Sequence, residues 1–86
     1  MRLEVKYFEM HNGVVYYKIW NSECYNDIEI ARQMGMTFRE YKKCMVETYN
    51  GRCDIYIAAL FEKKQDAEKA LEEFVMPRLI MNRVIG

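Results

Sequence analysis

The stretch 27–51, DIEIARQMGMTFREYKKCMVETYNG, decides how the rest of this 86-residue chain is read. It holds two short helical patterns separated by a break at Gly35. In the first, Ile30, Ala31 and Met34 recur at helical spacing, and Asn26 with Glu29 approximates a capping box. Gly35 follows Ala31 by four residues and can take the positive φ that ends a helix. Thr37 and Glu40 make a second capping box. Phe38, Tyr41, Met45 and Tyr49 then form an apolar stripe with Cys44 beside it, and Asn50-Gly51 supplies the stop.

Working outward, Leu3-Glu4-Val5-Lys6-Tyr7 alternates with the period of a half-buried strand. His11-Asn12-Gly13 carries a hairpin signal, and Val14 to Trp20 is β-branched and aromatic, so it reads as the returning strand. On the other side, Cys53, Ile55, Ile57, Ala59 and Phe61 alternate, predicting a third strand over 53–61. Tyr56, Ala58 and Leu60 between them are also largely apolar, which predicts a central strand covered on both faces. Ala67, Ala70, Leu71 and Phe74 then mark an amphipathic helix opening at Lys64-Gln65-Asp66. Pro77 is expected to end or kink it near Met76. The apolar tail, Leu79-Ile80-Met81 with Val84-Ile85, is expected to form a short helix that closes the core or meets a partner. The order ββααβα predicts one α+β domain over 1–86, a three-stranded antiparallel sheet with helices packed on one face.

Composition narrows the function. The chain is 51% apolar and 30% charged, as in an ordinary globular domain. No apolar run reaches the length of a membrane span, and no leader-like stretch opens the chain, so no membrane partner and a cytoplasmic address are expected. Thirteen cations balance thirteen acids, which argues against non-specific coating of nucleic acid. Residues 27–52 carry a local excess of +1 and 62–73 a deficit of −2. Cys24, Cys44 and Cys53 are odd in number and lack CxxC spacing, so free thiols are expected rather than disulfides or a zinc site. His11 stands alone beside a turn, the glycines are scattered at 13, 35, 51 and 86, and the acids of 68–73 sit on a solvated face. No catalytic residue, metal or cofactor is therefore expected, and the chain does not read as an enzyme.

Ile30-Ala31, Gly35, Thr37 and Tyr41 together resemble a helix-turn-helix unit. The resemblance covers about 20 residues, from Asp27 to Val46. It implies double-stranded DNA as partner, with the second helix in a groove and a homodimer reading two half-sites. Thr37, Arg39, Lys42 and Lys43 would then be the contacts, to phosphates or guanine edges. Two departures stand out. Tyr41 and Cys44 replace the usual aliphatic residues, and such units more often sit among helices than between strands.

The aromatics suggest another use. Tyr16, Tyr17, Trp20 and Tyr56 lie on predicted strands and, by the two-residue period, cannot all point inward. Either these rings or Ile80 and Met81 of the apolar tail are the candidate protein-binding surface. The runs Ile30-Ala31-Arg32-Gln33-Met34-Gly35-Met36-Thr37, with Glu40-Tyr41, and Phe61-Glu62-Lys63-Lys64-Gln65-Asp66-Ala67-Glu68-Lys69-Ala70 resemble small accessory proteins of bacteriophages and mobile elements. That resemblance implies either a transcriptional regulator or a stoichiometric, anti-CRISPR-like inhibitor of a host defence protein.

Overall fold

In a computed structural model, which describes residues 3–22, 27–54 and 58–85 with side chains through Met81, the first two runs form an antiparallel hairpin. Strand β1 (Leu3–Glu9) pairs with β2 (Val15–Asn21) in the register Leu3↔Asn21 to Glu9↔Val15. The connection is a three-residue loop. Gly13 sits at φ 84° and donates to the Met10 carbonyl, while Asn12 Oδ1 accepts the Val14 amide at 3.1 Å. A left-handed residue at the end of a type I turn is the geometry that such loops require, and glycine takes it without strain.

Helix α1 (Asp27–Gln33) and helix α2 (Phe38–Tyr49) follow, then β3 (Leu60–Phe61), α3 (Lys64–Ala70), a π-helical turn (Leu71–Val75) and α4 (Met76–Ile85). The sheet order is β1-β2-β3, all antiparallel, and α3 packs against all three strands. This is the α+β arrangement ββααβα expected from the pattern. Leu3, Val5, Tyr17 and Ile19 of the sheet meet Ile30, Ala31, Met34, Tyr41, Met45, Phe61, Ala67, Ala70, Val75 and Leu79 in one core.

Two expectations are corrected. The third strand is neither long nor central: β2 holds the middle, and β3 is a two-residue edge paired through Tyr17↔Phe61 and Lys18↔Leu60. Upstream, Arg52 and Leu60 form an isolated antiparallel bridge, exchanging backbone hydrogen bonds of 2.6 and 2.7 Å, and Ala59 sits at φ 51°. Of the predicted third strand, Ile55 and Ile57 lie outside the described residues. Tyr56, the proposed Asn26 cap and Cys24 lie outside the described residues.

The second correction is partial: Pro77 does not end the helix, which runs from 64 to 85, but the regular α ladder is interrupted by a π turn just before Met76. Its buried positions through Met81 are Ala67, Ala70, Val75 and Leu79. A strict α-helical continuation would have carried Phe74 and then Arg78 onto the buried face. The π turn, where the Met76 amide donates to the Leu71 carbonyl, absorbs one extra residue and brings Val75 and Leu79 inward instead. Arg78 is left outside, with its guanidinium 5.0 Å from the Phe74 ring.

One core group is poorly matched. The Tyr41 side chain is wholly buried, and its hydroxyl has no hydrogen-bond partner among the described residues. Burial pushes its ionisation well above the ordinary tyrosine range, so it stays neutral. Leaving a buried hydroxyl unpaired costs about 1–3 kcal/mol. Tyr41→Phe is therefore expected to stabilise the domain by about 1 kcal/mol, raising Tm by about 4–8 °C for a domain this small. Calorimetry checks this, and a lowered Tm would show that the hydroxyl is bonded.

Candidate nucleic-acid interface

The break between α1 and α2 is a Schellman turn. The Gly35 amide donates to the Arg32 carbonyl and the Met36 amide to the Ala31 carbonyl, both at 3.0 Å, with Gly35 at φ 75°. Two residues later Thr37 caps α2. Its hydroxyl oxygen accepts the Glu40 amide at 3.1 Å, and its own amide donates back to Glu40 Oε1 at 3.1 Å. The Thr37 amide, the threonine side chain and the field of Arg78 hold the Glu40 carboxyl below its usual range.

Tyr41 and Met45 bury one face of α2, with Phe38 and Tyr49 packed against the core at either end. That packing determines what the other face shows. Arg39 and Lys43 are exposed, and Lys42 is half-buried with its ammonium 5.9 Å from the Phe38 ring. All three line one groove of about 240 Å³, together with Val46, Glu47 and Cys53. Thr37 is exposed at the head of the same helix, and its hydroxyl keeps a hydrogen to donate. The structure thus brings all four predicted contact residues to the first half of one helix.

Sequence reasoning missed the rest of the lining. Val46 follows Lys42 by four residues and Glu47 follows Lys43 by four, so helical spacing alone was enough to place them. Cys53 is different, since it comes from the segment after α2. Its thiol donates to the Lys42 carbonyl at 3.3 Å and accepts the Ala59 amide at 3.2 Å, clasping Ala59 to α2. Burial pushes that thiol above its ordinary value, which makes it a clasp rather than a nucleophile. Cys44 is a free thiol 3.7 Å from the Thr48 hydroxyl.

The candidates for a protein-binding surface lie in different places. Tyr16 is not presented to a partner: it is 5% exposed, its hydroxyl accepts from Arg52 Nη1 at 2.6 Å, and the guanidinium lies 5.8 Å from the ring. Tyr17 is half-buried on the opposite face, edge-on to Tyr7 at 6.1 Å. Trp20 is half-buried, with the Lys6 and Lys18 ammoniums 5.6 and 5.7 Å from its ring. Ile80 and Met81 of α4 are exposed, at 57% and 59%.

Among the described residues, no three His, Cys, Asp or Glu side chains gather in a way that holds a metal ion, and no helix is long and apolar enough to cross a membrane. Comparison with protein-family models, with curated proteins and with solved structures finds no match.

Proposed function

We propose that the chain binds double-stranded DNA through the α1–α2 pair, with the first half of α2 against the duplex. One observation carries the reading: Arg39, Lys42 and Lys43 gather around a single open groove on the solvent face of a capped helix, directly after a tight turn. Cations so placed reach phosphates and the acceptor edge of guanine. The zero net charge restricts the electrostatic footprint to this patch, so affinity is modest and site-dependent rather than a general attraction to nucleic acid. Burial of Tyr16 weakens the inhibitor reading only where it uses the sheet face.

Fluorescence polarisation against mixed duplexes at several salt concentrations tests the proposal. Three phosphate contacts predict a slope of log K on log salt of about −3. The double substitution Arg39→Ala and Lys43→Ala should reduce that slope by about two and abolish measurable binding at moderate salt. Glu47, on the same groove wall, sets its own charge against a phosphate, so Glu47→Gln should tighten binding several-fold. Salt-independent binding, or none at low salt, would remove DNA as the partner.

A further inference from the structure

We propose that the chain associates with a second copy of itself through the 64–85 helix, paired antiparallel about a two-fold axis near residue 78. This goes beyond the DNA reading and does not rest on it. The helix is about 33 Å long at 1.5 Å per residue, in a molecule whose longest dimension is 42 Å. Ala67, Ala70, Val75 and Leu79 turn one face into the core. On the outer side Met76 is 38% exposed, Ile80 57% and Met81 59%. Met76 and Ile80 are four residues apart and so share one face.

Charge along the helix names the occupant of that face. Its first part, 64–75, carries Lys64 and Lys69 against Asp66, Glu68, Glu72 and Glu73, a net of −2. Its second part, 76–85, carries Arg78 and Arg83 and no acid, a net of +2. A parallel pair would stack like charge on like. An antiparallel pair sets the acidic half of each copy on the basic half of the other, the way flanking charges select helix orientation in coiled coils. With the axis near residue 78, Met76 of one copy meets Ile80 of the other, and position 73 stands opposite position 83. A two-fold contact makes each of these pairings twice and closes on itself. Methionine is suited to such a seam because its unbranched chain adapts to the facing surface. If the DNA reading also holds, this pairing joins two copies of α2 for two half-sites.

Sedimentation equilibrium of the full chain across the micromolar range tests the pairing. The mass should rise from 10.4 kDa towards twice that value with concentration. Ile80→Glu should weaken association at least about tenfold while leaving the thermal transition in place. Glu73→Arg, at a solvent-exposed position, should weaken it as well. Arg83→Glu should do the same, yet an equimolar mixture of the Glu73→Arg and Arg83→Glu chains should form a mixed dimer tighter than either alone. A wild-type mass fixed at 10.4 kDa would overturn the proposal. So would a dimer whose dissociation constant ignores these substitutions, or a mixture with no mutual rescue.

Discussion

Asp27→Leu is expected to destabilise the domain by about 3–5 kcal/mol, the cost of leaving a buried charge without its partner. Asp27 opens α1, and its Oδ2 lies 2.9 Å from Lys18 Nζ on β2, with both side chains nearly removed from solvent. The pair ties α1 to the central strand, and Asp27 Oδ1 has no hydrogen-bond partner among the described residues. Burial is nevertheless the largest influence on Asp27 and raises its carboxyl above the usual range, against the opposing pull of Lys18 and the Ala58 amide. An acid raised in the fold keeps its proton to higher pH than the unfolded chain does. Its contribution to stability therefore falls as pH rises from the ordinary carboxylate range through the raised one.

Removing both charges has a different outcome. Lys18→Met with Asp27→Leu discards two desolvated ions together, and such replacements are often neutral or stabilising. The double variant should recover most of the loss, and it should lack this pH dependence. Urea titration of wild type, single and double variants between pH 4 and pH 7 measures all three effects. A total stability of about 4–13 kcal/mol, from the usual 0.05–0.15 kcal/mol per residue, makes the single loss conspicuous. A single-variant loss below about 1 kcal/mol would mean that Lys18 finds water or another partner.

Gly35→Val is the second large effect, at about 1–3 kcal/mol of backbone strain. At φ 75° a β-branched side chain collides with its own backbone. The two Schellman hydrogen bonds at this turn hold it in place, so the strain is not relieved without moving α2. Asparagine is the appropriate control, because it tolerates the left-handed region and Asn50 already occupies it at φ 55° at the end of α2. Calorimetry should show Gly35→Val melting several degrees below Gly35→Asn, at about 4–8 °C per kcal/mol. Under the proposed function the same variant also weakens DNA binding, since the cationic face of α2 is aimed by this turn. Equal melting temperatures for the two variants would show that the turn relaxes freely.

The features legible from the order of residues alone are short in range. Gly35, the Thr37–Glu40 capping box, the Asn12-Gly13 loop and the alternation of β1 and β2 are each written within a few neighbouring residues. The backbone sterics and hydrogen bonds that enforce them act over the same distance. The four contact candidates on α2 were legible for that reason: burying Tyr41 and Met45 forces Arg39 and Lys43 outward at helical spacing. Tertiary structure decided where remote segments meet. Arg52, 36 positions from Tyr16, takes that tyrosine out of any sheet surface, and the predicted central strand is reduced to the two-residue edge Leu60–Phe61. Cys53 reaches the groove only by its bond to the Lys42 carbonyl, and Lys18 finds Asp27 only once α1 crosses back to β2. The π turn is likewise a compromise between Ala67 and Ala70 on one side and Val75 and Leu79 on the other. Which apolar surface leaves water depends on the whole packed arrangement, and no local pattern along the chain encodes that choice.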